Sequence, residues 1–263
     1  MDLGIKDRVA IVAASSRGLG QAVARGLAKE GAILALCARN ADALDAAAED
    51  IRRETGARVM TRALDVTAYE DVRRFVSEVV ERFGRLDVCV ANAGGPPSKS
   101  FAETSIEDWR AAADLNLMST IYFAKEALPK MQGQRWGRFI AITSVAVKQP
   151  VEGLILSNAV RSAVSGLVKT LANEYGPYGV LVNNVCPGYT ATARLVELSR
   201  TLAVREGVDP AEIEQRWARQ TALGRVGRPE EFADMVVFLA SERAAYITGT
   251  SIAVDGGLVK GVY

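Results

Sequence analysis

The sequence contains no histidine. Histidine is the side chain most often used for proton transfer near neutral pH and for binding metals, so its absence excludes Ser-His-Asp triads and histidine metal sites. Long apolar runs are also missing near the N-terminus, where Asp2, Lys6, Asp7 and Arg8 carry charges and the first apolar run is too short for a signal peptide or membrane span. These absences predict a cytoplasmic protein whose chemistry uses other groups.

Cysteine is scarce as well. The three cysteines, Cys37, Cys89 and Cys186, each lie in or beside an apolar, strand-like run. An odd number of cysteines in such positions favours buried thiols over disulfides or a metal site. We therefore predict no metal centre.

Charge of either sign is not in excess, because the formal net charge is only +1. Hydrophobic residues make up 49% and charged residues 24%, which is typical of an ordinary soluble enzyme. Nothing in this balance indicates nucleic acid or a membrane surface as a partner. The length of 263 residues allows one large α/β domain or two small ones, and we favour one domain over residues 1–263.

The stretch from Val9 to Asn40 predicts a nucleotide-binding unit. A continuous apolar run, Val9–Ala14, is typical of a strand buried on both faces of a parallel sheet. Gly18 and Gly20 follow in a turn that opens a helix, whose unpaired N–H groups favour an anion. Gly31 ends this helix, and a second apolar strand follows. The glycines alone would also fit a plain tight turn, but the order of strand, turn, helix and strand favours a pyrophosphate site.

The rest of the chain continues the alternation of apolar strands and amphipathic helices. This pattern predicts a doubly wound parallel sheet, a Rossmann fold. The segment from Ala193 to Gly224 is polar and helical, with a helix start at Asp209. We expect it to cover the substrate; a plain pair of surface helices is the alternative. The predicted elements are helices at 41–55, 69–83 and about 104–132, strands at 58–64, 88–91, 137–144 and 180–186, and a last strand from residue 251.

The glycine turn resembles a known family. The run Ala14-Ser15-Ser16-Arg17-Gly18-Leu19-Gly20 is similar to the TGxxxGxG turn of the short-chain dehydrogenase/reductases, and the whole chain resembles their 3-oxoacyl-(acyl-carrier-protein) reductases. Ala14 stands at the first glycine and Ala13 at the threonine, so the turn must accept a methyl group. The resemblance implies that these residues hold the pyrophosphate of a nicotinamide cofactor.

Three further segments resemble family motifs that contact the rest of the cofactor. Asp65-Val66 ends the third strand, where the family has an acidic residue at the adenine ring; a cap for the following helix is the alternative. Asn92-Ala93-Gly94 resembles the NNAG turn, which lies against the cofactor. Pro187-Gly188-Tyr189-Thr190-Ala191-Thr192 resembles the PG motif, whose backbone and last threonine touch the nicotinamide end.

The catalytic positions match the family only in part. Ser144 ends a strand where the family has its catalytic serine, and Asn116 lies in a Leu-Asn-Leu context where the family's asparagine helps to hold a proton-relay water. The alternative for Asn116 is an exposed polar position. The family's tyrosine and lysine are replaced by Ser157 and Arg161.

This replacement leaves the proton source open. Serine cannot be tuned as a tyrosine is, and Arg161 could bind the nicotinamide ribose but stays protonated and cannot pass a proton on. Lys148 or Tyr189 could supply the proton, or Ser144 and Ser157 could hold a water that does so. We favour an oxidoreductase acting on a carbonyl or alcohol; the alternative is a catalytically silent nucleotide-binding module, a sensor or subunit partner.

The sequence favours NADP over NAD as the cofactor. The second strand ends in Cys37-Ala38-Arg39, without the acidic residue that would bind a ribose 2′-hydroxyl. Arg17 and Arg39 could flank a 2′-phosphate instead; the alternative is that both are solvated surface charges. The resemblance also implies a homo-oligomer, a tetramer or dimer, which packs through the long helices around Asn116 and Ser157.

Overall fold

Within residues 1–262, seven parallel strands form one sheet in the order β3-β2-β1-β4-β5-β6-β7. A computed structural model describes residues 1–262. The strand order reverses between β2 and β4 on the two sides of β1, as in a doubly wound sheet, so the predicted fold class is confirmed. The strands are β1 (Val9–Ala13), β2 (Ile33–Ala38), β3 (Val59–Ala63), β4 (Val88–Ala91), β5 (Gly137–Ile142), β6 (Val180–Pro187) and β7 (Ser251–Val254).

Three helices cover each face of the sheet. One apolar core joins the sheet to α3, α5 and α6, and the other joins it to α1, α2 and α9. All five residues of β1 are fully buried between these layers, which explains the unbroken apolar run. The helices are α1 (Gly18–Lys29), α2 (Ala41–Thr55), α3 (Tyr69–Phe83), α4 (Ile106–Ala113), α5 (Ser119–Gln134), α6 (Ile155–Tyr175), α7 (Ala193–Glu206), α8 (Pro210–Gln220) and α9 (Pro229–Ala240).

The helix predicted from about residue 104 differs from the observed one at its start. Thr104 and Glu107 have the spacing of a capping box, which places the start of the helix one residue too early. Ser105 caps α4 instead: its hydroxyl accepts from the Asp108 N–H at 3.1 Å, and the Asp108 carboxylate accepts from the Ser105 N–H at 2.9 Å. The Thr104 hydroxyl donates instead to the carbonyl of Phe101.

The same helix is also interrupted in its middle. A π-helical turn at Asp114–Met118 separates α4 from α5. Such single turns widen the helix and often lie at functional sites. This one contains Asn116, a residue that the sequence singled out.

The predicted helical insertion consists of α7 and α8, which form a cover with a small apolar core of its own. Ala203, Ile213 and Trp217 are buried in this core. Asp209 caps α8 as expected, with its carboxylate accepting from the Ala211 N–H at 2.8 Å. None of the helices within residues 1–262 is long and apolar enough to cross a membrane.

The prediction of buried thiols is confirmed. Cys37, Cys89 and Cys186 are free and fully buried. Burial raises the pKa of the Cys37 thiol to about 12, because the thiolate would lose its hydration. These thiols stay protonated at neutral pH.

Candidate cofactor and active site

The predicted site residues gather at the carboxyl edge of the sheet. The turn after β1, the loops after β4 and β5 and the PG segment at the end of β6 all lie at this edge, because parallel strands end on the same side. The strand order changes direction beside β1, and ligands of doubly wound sheets bind in the crevice that this change creates.

The glycine turn is tightly packed. A Cβ atom at Gly20 would lie 2.4 Å from the Ala14 carbonyl oxygen and 2.9 Å from Asn92 Nδ2, so only glycine fits there. The Asn92 amide also donates to the Ala13 carbonyl at 3.2 Å, which ties the loop after β4 to the turn. The first N–H groups of helix α1 have no partners within the helix, and no side chain at Arg17 caps them, so they remain open to an anion. This geometry fits a pyrophosphate.

The other residues of the turn hold it in place. Ser15 is fully buried, and its N–H donates to the Cys37 carbonyl at 3.1 Å, which joins the turn to β2. Leu19 packs against the core, whereas Ser16 is half-buried. The serines thus differ: Ser15 fixes the turn, and Ser16 remains accessible.

Ala14 has a backbone conformation that suits glycine. Its φ is +48°, in the left-handed region that costs an L-residue about 1–2 kcal/mol. We predict that Ala14→Gly raises the free energy of unfolding by about 0.5–1 kcal/mol, less than the full strain because glycine also gains freedom in the unfolded chain. Urea denaturation measures this change. The control Ala13→Gly, within β1, should destabilise; a loss of stability in Ala14→Gly would show that the turn carries no strain.

Arg17 and Arg39 both lie at the surface beside this turn. Arg17 directly precedes α1, and Arg39 directly follows β2. Both are exposed, and neither guanidinium forms an ion pair or hydrogen bond with any residue from 1 to 262. They are therefore available to a ligand at the end of β2.

Asp65 shapes the chain that leads into α3. Its carboxylate accepts hydrogen bonds from the Thr67 N–H at 2.9 Å and from the Thr67 hydroxyl at 2.8 Å. The N-cap residue of α3 is Ala68, so Asp65 caps the preceding turn and not the helix itself. Val66 is buried in the core.

The PG segment reaches back to the glycine turn. Thr192 is the N-cap of α7, with its hydroxyl accepting from the Leu195 N–H at 3.4 Å. A Cβ atom at Gly18 would lie only 3.6 Å from Thr192 Cγ2, so the start of α7 faces the turn after β1. Thr190 is buried, and its hydroxyl donates to the Gly188 carbonyl at 3.3 Å.

Arg161 forms a buried strut between two loops. Its guanidinium donates to the carbonyl oxygens of Ile142 at 3.1 Å, Thr143 at 3.0 Å and Gly94 at 3.2 Å. Only 6% of the residue is exposed, and burial lowers its pKa to about 10, which leaves it charged at neutral pH. The planar fork of arginine suits several carbonyls at once. Arg161 therefore clamps the end of β5 to the loop after β4.

Asn116 shares one of these acceptors. Its Nδ2 atom donates to the Gly94 carbonyl at 2.8 Å, and the residue is only 4% exposed, which excludes the alternative of an exposed polar position. Its Oδ1 atom is buried without a hydrogen-bond partner in the described chain. A buried acceptor of this kind is usually satisfied by water or ligand.

The two serines lie beside residues of the Arg161 clamp. Ser144 directly follows Thr143, and its Oγ accepts from the Ala146 N–H at 3.1 Å. Ser157 lies one helical turn before Arg161 on α6 and is 6% exposed. Within residues 1–262 its hydroxyl forms no hydrogen bond, so it is free for a ligand.

The two candidate relocated acids have different surroundings. Lys148 is exposed four residues beyond Ser144 and has no ion-pair partner in the part of the chain described. The Tyr189 hydroxyl donates to Gln220 Oε1 at 3.2 Å, and its ring stacks on Trp217 with 5.1 Å between centroids. Burial raises the pKa of Tyr189, which keeps its proton on.

A cavity of about 540 Å³ lies under the helical cover. It includes Val145, next to Ser144, and Tyr189, next to the PG pair, so it adjoins the carboxyl ends of β5 and β6. The sequence analysis missed Trp217 and Gln220 in its wall, since only the fold brings α8 to this place. Another hollow, at the amino end of β3, lies away from these strand ends and is lined by Arg58, Val59, Arg82 and Phe83.

Arg194 was also missed. Its guanidinium donates to the Pro96 carbonyl at 3.0 Å and thereby joins α7 to the loop after β4. Its place two residues after Thr192, at the start of the predicted insertion, is the one signal that could have drawn attention to it.

Comparisons with known proteins agree with this geometry. A family model described as enoyl-(acyl carrier protein) reductase matches residues 13–259. The chain is 33% identical to a 3-oxoacyl-(acyl-carrier-protein) reductase of Aquifex aeolicus, over 98% of this chain and 100% of the relative. It is 34% identical to meso-2,3-butanediol dehydrogenase of Serratia marcescens, over 95% of this chain and 94% of that protein.

Among solved structures, L-sorbose reductase of Gluconobacter frateurii, complexed with NADPH and L-sorbose, superposes with a TM-score of 0.95. The two chains are 35% identical, and the match covers 100% of each. These relatives are nicotinamide-dependent short-chain oxidoreductases, and matches of this identity and coverage establish common membership. The chain therefore belongs to the short-chain dehydrogenase/reductase family.

Proposed function

We propose that this protein is an NADP-dependent oxidoreductase that acts on a carbonyl or alcohol substrate and has a modified proton-donor site. The observation that carries the proposal is the cavity lined by Val145, the neighbour of Ser144, and by Tyr189, the neighbour of the PG pair, because it can hold a small molecule beside these strand ends. The structure of L-sorbose reductase, which was solved with NADPH, supports the choice of cofactor.

The residues present fit a dinucleotide. The tight packing at Gly20 and the uncapped start of α1 support a pyrophosphate site there, and Arg17 and Arg39, exposed and unpaired within residues 1–262, are available to a 2′-phosphate. A bound cofactor would supply a hydride to the carbonyl carbon, and one proton must then reach the oxygen to give the alcohol. The residues assigned to cofactor binding are Ala14, Ser15, Ser16, Arg17, Gly18, Leu19, Gly20, Arg39, Asp65, Val66, Asn92, Ala93, Gly94, Pro187, Gly188, Thr190 and Thr192.

We assign the proton to a water held in the site. The tyrosine and lysine of the resembled family are replaced here by Ser157 and Arg161. Arg161 donates hydrogen bonds to three backbone carbonyls. In the described chain, by contrast, the Ser157 hydroxyl forms no hydrogen bond and the buried Asn116 Oδ1 atom has no donor. A water bound by Ser144 and Ser157 would restore a hydroxyl at the reacting oxygen.

A relocated acid is the second candidate for proton delivery. Tyr189 keeps its proton at neutral pH, but its hydroxyl is engaged with Gln220 on α8. Lys148 is close to Ser144 in the chain but exposed. Either group would have to turn toward the site in the complex.

A silent nucleotide-binding module is the second candidate function, and the strut formed by Arg161 favours it, since this guanidinium stabilises the loops without moving a proton. Calorimetric titration with NADPH, followed by a screen of carbonyl and alcohol substrates at high enzyme concentration, tests both candidates. NADPH binding with turnover supports the oxidoreductase. Tight binding with no turnover on any substrate supports the module, and no binding contradicts both.

We also propose a homotetramer in the cytoplasm. Asn116 and Ser157 are buried, so only the outer faces of α4, α5 and α6 can pack against other subunits. Phe101, before α4, and Ile106, the first residue of α4, are 73% and 63% exposed, as expected of residues that a partner covers.

We predict that light scattering at micromolar concentration gives a tetramer mass and that Ile106→Lys lowers it. Val204→Lys is a matched control, because Val204 is 86% exposed on the cover helix α7. A monomer mass for the unchanged protein would contradict the assembly.

A further inference from the structure

The wall of the cavity is apolar where the helical cover faces it. Leu198 and Leu202 lie one turn apart on α7, and Ile213 and Trp217 lie one turn apart on α8. Residues four apart on a helix share a face, so each helix presents a short apolar stripe. Leu258, after β7, adds a further apolar side chain.

Tyr189 and Trp217 form a flat, rigid surface within this wall. Their rings are stacked with an interplanar angle of 18° and 5.1 Å between centroids. Trp217 is only 6% exposed. The hydrogen bond from the Tyr189 hydroxyl to Gln220 holds the Tyr189 ring against α8. Tyr189 directly follows the Pro187-Gly188 pair in the chain. The stacked rings therefore lie between the nicotinamide end of the proposed site and the helical cover formed by α7 and α8.

The arginines of the cavity wall form ion pairs with carboxylates in the wall or beside it. Arg216 binds Glu206 at 2.6 Å and Glu212 at 3.2 Å, and Arg205 lies 3.9 Å from Glu103. Glu152 is the remaining charged residue of the wall; it is exposed and negative. Within residues 1–262, both arginines of the lining therefore have carboxylate partners.

The chain after β7 closes the same cavity. The Lys260 N–H donates to Gln149 Oε1 at 3.1 Å, and Lys260 Nζ donates to the Gln220 carbonyl at 3.1 Å. Both glutamines belong to the wall. Hydrogen bonds from Tyr189 to α8 and from the chain after β7 thus hold the wall around the Tyr189 and Trp217 rings in place. A wall that is fixed in this way favours the binding of rigid substrates over flexible ones.

We propose that Tyr189 and Trp217 determine the substrate class: an uncharged ketone, or the matching alcohol, whose carbonyl is part of a flat ring system. The inference rests on the proposed function for the chemistry, but the binding preference is independent of turnover. Stacking on the Tyr189 face holds the ring, and an anionic group would meet Glu152 while both arginines of the lining are already paired with carboxylates.

The test compares ketones with equal numbers of carbon atoms. Calorimetry measures the binding of β-tetralone and of methyl octyl ketone, with and without saturating NADP⁺. We expect β-tetralone to bind about tenfold more tightly, the upper range for an aromatic stacking contact. A carboxylated β-tetralone should bind more weakly than β-tetralone itself.

Variants distinguish stacking on the Tyr189 and Trp217 rings from a general preference of the cavity for apolar ligands. Tyr189→Leu and Trp217→Leu should reduce the ring preference to about twofold or less, while Trp217→Phe keeps it. Tyr246→Leu, at a fully exposed tyrosine, is the control and should leave the preference unchanged. Thermal unfolding and NADPH affinity show whether each variant is folded. If Trp217→Leu does not fold, the ring preference of Tyr189→Leu alone tests whether the preference depends on stacking.

Equal affinity for the two ketones in the unchanged protein would overturn the inference, as would a ring preference that survives both leucine variants. Tighter binding of the carboxylated ketone would overturn the assignment of an uncharged substrate. Failure to bind NADPH, with the ring preference intact, would instead contradict the proposed function and leave the specificity surface supported.

Discussion

Changing Ser157 to tyrosine and Arg161 to lysine together is expected to raise the rate of ketone reduction by about 10²–10⁴. The double change restores an acid at the position where Ser157 now leaves an unpartnered hydroxyl, and a lysine that can lower the pKa of this acid. A positioned general acid is worth roughly 3–5 kcal/mol of barrier, which gives this range. Measurement of kcat/KM with NADPH on simple ketones, where the unchanged protein should show little activity, checks the prediction.

The single variants are the controls, and their effects should not add up to that of the pair. Ser157→Tyr alone gains little, because Arg161 stays on its three carbonyls and does not tune the phenol. Arg161→Lys alone should lower the stability, since an ammonium cannot reproduce the fork that binds those carbonyls. Brisk turnover by the unchanged protein, abolished by Lys148→Ala or Tyr189→Phe, would show a relocated acid and contradict the water-based site.

NADPH is expected to bind at least about tenfold more tightly than NADH, and Arg39→Ala should remove most of that difference. Arg39 directly follows β2, and its exposed guanidinium has no ion-pair partner in the described chain. It can therefore pair with a 2′-phosphate. A charge-assisted hydrogen bond contributes about 1.5–3 kcal/mol, or roughly 10–150-fold in affinity. Calorimetric titration of both cofactors measures the preference.

The control for this prediction is Arg110→Ala. Arg110 is an exposed arginine on α4, a helix that packs against α6, and its guanidinium is paired with Glu107. Its removal should leave both affinities unchanged. Equal affinity of the unchanged protein for NADPH and NADH would refute the assignment of Arg17 and Arg39 to a 2′-phosphate.

Local patterns were sufficient to predict most of the fold. The apolar runs gave the strand Val88–Ala91, and helical periodicity gave Ala41–Thr55 and Tyr69–Phe83, all with the observed bounds. These elements depend on residues close in sequence and on burial of a whole face. The resemblance of the glycine turn placed the site at the carboxyl edge of the sheet, and the packing at Gly20 agrees with a pyrophosphate site.

The features that depend on distant residues could not be predicted. The strut from Arg161 to Gly94 joins residues 67 positions apart, and the bond from Arg194 to Pro96 joins residues 98 apart. Neither pairing leaves a periodic signal in the sequence. The π-helical turn at Asn116 was missed for a related reason, since a residue with low helix propensity weakens a helix but does not say which turn will widen.

The most direct test of the central claim, that this site carries out hydride transfer, is a single turnover with enzyme in excess over NADPH. β-Tetralone is added, and the absorbance of the reduced nicotinamide is followed until it no longer changes. We predict a slow but complete loss of NADPH with formation of one alcohol per cofactor, accelerated in the double variant of Ser157 and Arg161. NADPH that stays bound and fully reduced in both proteins, with this ketone and with open-chain ketones, would contradict the account and identify a binding module.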